Sequence, residues 1–247
     1  MSALIPLADS GFAFLEGVFP YSQGVVARPG FAIERARFAS PVAVGDGFRR
    51  IADHLAAAGR PKSALCACEL RSPKPFSFAG FADFNQAYVA VLQQWGLYHD
   101  GRNAVARSNV APAIDPPAEP SFYAFSYTVP ASTAAPSFVV AGSGEWPEGG
   151  RFPEDVVARD DVSPAGMAKK ADWVLAMMDS RIKGLGVGWS RATATQLYTV
   201  QDIKPLMEKI QRHIQPGALT WYWCRPPIEG LEFEMDLRGI SVERVLA

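Results

Sequence analysis

The chain has 247 residues, 49% hydrophobic and 20% charged, with 24 Lys and Arg against 25 Asp and Glu for a formal net charge of −1. That balance is ordinary for a packed globular protein and supplies no global field for nucleic acid or an anionic membrane surface. No stretch approaches the roughly 20 apolar residues of a membrane-spanning helix, and Met1-Ser2-Ala3-Leu4-Ile5-Pro6 has no basic segment before an apolar core, so a cytoplasmic location without a secretory signal is expected.

In chain order, Pro20-Tyr21-Ser22-Gln23 stands near the start. A helix is predicted over 47–58 from the apolar face Phe48, Ile51, Ala52 and Leu55, with Gly59 as its stop. A strand over 65–70 carries Cys66 and Cys68 on one face; with Cys224 they form an odd, sparse set without metal spacing, expected to be buried reduced thiols. A second helix over 83–95 presents Phe84, Ala87, Tyr88, Val91 and Leu92. Ala106-Arg107-Ser108 follows, then a strand over 121–128.

The stretch 131–136 is small, Pro-containing and without periodicity, so it reads as a linker between a first module, 1–130, and a second, 137–247. The second half opens with an apolar strand ending in Gly142-Ser143-Gly144-Glu145-Trp146-Pro147. Ser163-Pro164 starts a helix over 164–179, a capping residue followed by Pro in the first turn. A strand is expected over 191–198, then a helix opening at Val200-Gln201-Asp202-Ile203 and ending near Ile214. Strands over 219–223 and 231–237 close the chain, the last bearing Glu232, Glu234 and Asp236 on one face. Gly184-Leu185-Gly186-Val187-Gly188 follows a helix rather than a strand and reads as a loop, not a dinucleotide fingerprint.

Each half thus runs strands, helix, strand, helix, strands, an α+β order repeated once. Pro20-Tyr21-Ser22-Gln23, Val105-Ala106-Arg107-Ser108, Gly142-Ser143-Gly144-Glu145-Trp146-Pro147 and the acidic strand Leu231 to Asp236, placed around paired helices, resemble the RidA/YjgF family of reactive-intermediate deaminases. The resemblance implies two tandem chorismate-mutase-like modules, each a mixed β-sheet with two helices packed on one face. The tandem length is similar to the duplicated 2-aminomuconate and 2-amino-5-chloromuconate deaminases of aromatic degradation. Neither copy keeps the full motif set. Downstream of Arg107, where the family places its carboxylate, stand Phe122, Tyr123, Ala124 and Phe125; upstream of Glu234, where the arginine belongs, stands Gly217-Ala218-Leu219-Thr220-Trp221.

The resemblance implies hydrolysis of an imine or enamine amino acid to an oxo acid and ammonia, with no cofactor and no metal. The expected ligand is a small unsaturated amino or imino carboxylic acid, and nucleic acid and membrane are not expected partners. A homo-oligomer is implied, with a trimer favoured. Arg107 suits the substrate carboxylate because its planar fork binds both oxygens. Glu234 is the expected water activator, with Glu145 as substitute; Ser143, Gly144 and Ser108 are expected donors and Tyr21 a cover. Each residue type alone is also served by an ion pair, an exposed strand face or a tight turn. The alternative reading is a catalytically inactive carboxylate-binding or regulatory protein, motivated by the absent carboxylate at Phe122.

Overall fold

The computed structural model describes residues 4–132, 135–214 and 218–247. Part of the expected linker, 133–134, and Gly217 lie outside the described residues, as does the start of the chain before Leu4. The first half contributes β1 (Leu4–Leu7), β2 (Phe12–Leu15), β3 (Gly24–Ala27), β4 (Phe31–Ala43), α1 (Val44–Ala57), β5 (Leu65–Arg71) and α2 (Phe78–Gln94). After the short pair β6 (Tyr98–His99) and β7 (Arg102–Asn103) come β8 (Ala106–Pro112) and β9 (Ser121–Pro130). The second half contributes β10 (Phe138–Gly144), α3 (Pro164–Gly184), β11 (Ala194–Tyr198), α4 (Met207–Ile214) and β12 (Leu219–Tyr222). Last come β13 (Cys224–Arg225), β14 (Glu234–Gly239) and β15 (Glu243–Leu246).

The fold is α+β with two large mixed sheets, and each sheet takes strands from both halves of the sequence. One runs β1-β2-β3-β10-β14-β11-β12, the other β13-β8-β5-β9-β4-β15. The junction of the first sheet is the antiparallel pairing of Val26, Val25 and Gly24 with Phe138, Val139 and Val140. The second sheet is closed by β15, which runs parallel to β4 from Glu243 opposite Arg35 to Leu246 opposite Phe38. β2 and β3 are buried at every position, which is why their sequences show no alternation.

The helices cover the outer faces. Phe48, Ile51 and Leu55 of α1 and Tyr88, Val89 and Leu92 of α2 pack with Leu65, Phe122 and Phe125 in one core. Met167, Val174, Met178 and Ile182 of α3 and Ile210 and Ile214 of α4 pack with Val140, Leu197, Met235 and Leu237 in the other. Between the sheets, at β5, β8, β10 and β14, the facing side chains are strongly polar and include Glu69, Ser108, Asp236 and Arg238. Such a layer is costly unless its groups are paired. Arg35 therefore binds Glu69 through both Nε and Nη2, at 2.6 and 2.7 Å.

Element boundaries differ from the sequence expectation for local reasons. α2 starts earlier because Ser77 caps it, accepting from the Gly80 amide at 3.1 Å. α4 starts later than Val200. Thr199 and Asp202 side chains take the Gln201 and Lys204 amides, and Pro205 in the short 3₁₀ turn Lys204–Leu206 has no amide to give. The acidic strand begins at Glu234 rather than 231 because the Glu232 and Phe233 amides are bound by the Glu145 carboxylate. All three cysteines are buried and free. Among the described residues no helix is long and apolar enough to cross a membrane.

Candidate active site

Arg107 enters the site from β8, which runs parallel to β5 and sets Arg107 opposite Cys68. Its guanidinium is 3% exposed and stands over the Tyr88 ring at 4.8 Å and near the Tyr21 and Phe81 rings, each at 5.5 Å. Neither Nη1 nor Nη2 has a hydrogen-bond partner among the described residues. Burial pushes this guanidinium down from its ordinary value, yet arginine stays charged under all ordinary conditions. A buried cation with two free donors is an expensive arrangement in isolation, by several kcal/mol. A ligand carboxylate offers the missing charge and both acceptors.

A cavity of about 60 Å³ opens there, bounded by Tyr21, Arg107, Asn109, Ser143, Gly144 and Glu234. Glu234 comes from β14 and Arg107 from β8, so the structure gathers within one chain the two groups that the sequence divides between its halves. Glu234 is buried, and that burial, then the neighbouring Asp236, pushes its carboxyl well above the usual range; Arg181 and Arg107 pull the other way. Burial thus favours the neutral acid, the form that can give a proton.

Gly142 makes room for it. A Cβ there would lie 2.2 Å from Glu234 Oε1, a distance no side chain tolerates. The strand is locally irregular, with a register shift between Val140 and Ser143. Arg181 of α3 satisfies the carbonyls this leaves, donating from Nη1 to Ala141 O at 2.8 Å and Gly142 O at 3.1 Å. Its Nη2 reaches Glu148 at 2.7 Å, and Gln23 of the Tyr21 motif donates to the same carboxylate at 2.7 Å. The turn that carries Tyr21 is thereby tied to the loop after β10. Burial, then Glu148, pushes the Tyr21 phenol upward, so it remains a neutral donor.

Ser143 and Gly144 line the cavity, and the Ser143 hydroxyl turns towards the Gly144 carbonyl. Ser108 points to the other side of its strand, into the small cavity between the sheets beside Asp236 and Glu69, and not into the cavity that Tyr21 and Glu234 line. Its expected contact with substrate is corrected on that ground. Glu145 is also corrected. It is fully buried, paired with the equally buried Lys170 at 3.2 Å, and accepts from the Glu232 and Phe233 amides at 2.6 and 3.1 Å. Those contacts use its oxygens in holding the loop, and it does not line the cavity.

Asn109 is the site residue that the sequence did not single out. Two positions beyond Arg107 on β8, it shares the cavity-facing side. The Ser72 hydroxyl donates to its Oδ1 at 2.9 Å, which fixes the amide orientation, and its buried Nδ2 has no partner among the described residues. Three unpartnered N–H-bearing nitrogens therefore surround one cavity. Asp236, two positions beyond Glu234, accepts from the Tyr198 hydroxyl at 2.9 Å, and burial, then Glu69, raises its carboxyl to about 6. Cys68 is no nucleophile at neutral pH, since burial pushes its thiol up to about 12. No group of three or more His, Cys, Asp and Glu is gathered for a metal among the described residues.

Comparison with known proteins bears on this arrangement. Residues 4–244 match a family described as 2-aminomuconate deaminase CnbZ. Along the whole of both chains, this one is 47% identical to a protein of Comamonas testosteroni named 2-amino-5-chloromuconate deaminase. Among solved structures, a chorismatase aligns at 11% identity with a TM-score of 0.47, covering 93% of this chain and 77% of its own. The YjgF gene product of E. coli aligns at 13% identity with a TM-score of 0.31, covering 42% and 80% respectively. The match over nearly the entire sequence decides the classification, and the chain belongs to the 2-aminomuconate deaminase family.

Proposed function

We propose that this deaminase acts hydrolytically on an imine or enamine amino acid, 2-aminomuconate or a chloro-substituted relative, giving the oxo acid and ammonia. The observation that carries the reading is the buried Arg107 with both terminal nitrogens free among the described residues, facing the same cavity as the buried Glu234.

In this reading Arg107 takes the carboxylate next to the amino-bearing carbon, with Asn109 Nδ2 as an additional donor. The imine tautomer accepts the Glu234 proton at nitrogen, and the resulting iminium is attacked at carbon by water. Glu234, now a carboxylate, removes one proton from that water as the C–O bond forms. It returns the proton to the amine of the carbinolamine; ammonia leaves as the C–N bond breaks, and the hydroxyl proton passes back to Glu234. The sum is one water consumed and one ammonia released. Tyr21 and Phe81 wall the cavity beside Arg107, and the low-dielectric rings keep its field strong there. We read the assembly as a homo-oligomer, with a trimer favoured.

The test is simultaneous measurement of ammonia release and loss of the conjugated chromophore with purified protein. Arg107→Ala is expected to abolish both. Full turnover by that variant would remove the assigned role, and chromophore loss without ammonia would remove the reaction.

A further inference from the structure

The cavity holding Arg107 and Glu234 is small, about 60 Å³, whereas an adjoining annex measures about 280 Å³. The two share Tyr21, Phe81, Trp146, Glu148 and Ile228 as common wall. Sites for small molecules usually span about 300–1,000 Å³, a size these two reach only together. The inner cavity suits a carboxylate and the reacting carbon; a longer chain has to continue past Phe81.

The annex wall is chiefly apolar, with Val18, Phe19 and Phe78 among its residues, and it carries no Lys or Arg. Its one acid, Glu148, is already bound by Arg181 and Gln23. The outer rim is an aromatic cluster joining the two halves. Phe78 of α2 stacks on Phe152 at 5.0 Å with 7° between the planes, and Trp146 meets Phe78 edge-on at 5.8 Å. Within the annex one polar group stands out: Asn85, 4% exposed, whose Oδ1 has no partner among the described residues. Because Oδ1 only accepts, the free energy lost by leaving it unpaired is recovered by a ligand group that donates a proton to it.

We infer that the annex is the subsite for the distal half of the substrate, a flat conjugated chain lying against Phe81 and Ile228 with its terminal carboxyl bound as the neutral acid and donating its O–H to Asn85 Oδ1. The assignment rests on the proposed deaminase reading for the orientation, with the reacting end at Arg107. It makes chain length and distal substituents properties of the annex, separate from the chemistry beside Glu234. An apolar wall also accepts a halogen on that half more readily than a polar one does.

Binding separates this subsite from catalysis. Calorimetric affinities for the unreactive six-carbon diacid muconate and for pyruvate, a short 2-oxo acid, would be measured on the full chain. Ala82→Trp fills the annex from α2 without touching the inner cavity, and Asn85→Leu removes its carboxamide. Both variants are expected to weaken muconate by about tenfold or more and to leave pyruvate within about threefold. Equal weakening of both ligands, or unchanged muconate affinity in both variants, would overturn the subsite. Discriminating binding without ammonia release from any six-carbon amino acid would instead overturn the deaminase reading while supporting the annex.

Discussion

Gly142→Ala isolates the placement of the Glu234 carboxyl from its chemistry. The added Cβ would lie 2.2 Å from Glu234 Oε1 and 3.2 Å from both Glu234 Cδ and Ser108 Cβ. Restoring ordinary contact requires the carboxyl to retreat by about 1.2 Å, which the end of a flexible side chain can do. The fold therefore loses little, whereas a displacement near 1 Å at a reacting group costs about 100-fold in rate. That corresponds to about 2.7 kcal/mol of transition-state stabilisation. Arg107 and Asn109 are untouched, so the loss should fall on kcat with KM within about threefold, a pattern diagnostic of an interaction made only in the transition state. The assay is steady-state ammonia release, with thermal melting as the control for folding. A kcat within threefold of the parent would refute the role of Gly142 as the seat of the Glu234 acid.

Three further outcomes are expected. Asn109→Ala should raise KM by about 10–100-fold through loss of a hydrogen bond to a charged ligand, with kcat changed less; an unchanged KM would exclude Asn109 from substrate binding. Lys170→Met strands the buried Glu145 carboxylate and should destabilise the fold by about 3–5 kcal/mol in denaturant unfolding, while a loss under 1 kcal/mol would contradict the pairing. Asp236 has its folded carboxyl raised from 3.8 to about 6, so the folded state binds the proton more tightly than the unfolded chain. Its contribution to stability is present below pH 3.8 and is lost as pH rises through about 6, at most about 3 kcal/mol. Glu69 has the opposite sign: burial pushes it up, but Arg35 outweighs this and holds it at about 2, so its contribution is lost only as pH falls below 4.5. Asp236→Asn should therefore flatten the decline in melting temperature between pH 4 and 6, and an unaltered profile would exclude that titration.

Much of the helical layer was legible because its apolar positions recur at helical spacing: Phe48, Ile51 and Leu55 are buried on α1, and Tyr88 and Leu92 on α2. Sheet membership was not. The apolar runs at Phe12–Leu15 and Gly24–Ala27 have buried side chains throughout, and nothing local states that Val25 pairs with Val139 across the sequence. Arg107 and Glu234 were visible through motif order, while their convergence depends on that non-local pairing. Glu145 misled because a carboxylate inside a glycine-rich motif looks chemical; its partner Lys170 lies 25 residues away on α3, on the face of Met167 and Val174, and nothing local couples the two. Asn109 carried no signal by type, yet its position two residues from Arg107 on a strand placed it on the same face. Asp236, by contrast, was read with Glu234 on one strand face, but the buried setting that makes this face informative appears only when the second sheet is laid over it.

The central claim is that one chain, with strands from both halves, assembles one site from Arg107 and Glu234. Complementation tests it most directly. Arg107→Ala and Glu234→Gln chains, each inactive alone, would be co-expressed, purified together and assayed for ammonia release. The account predicts no recovery, because no chain in the mixture carries both groups. Recovered activity in the mixed assembly would mean that the two residues meet between chains and would contradict it.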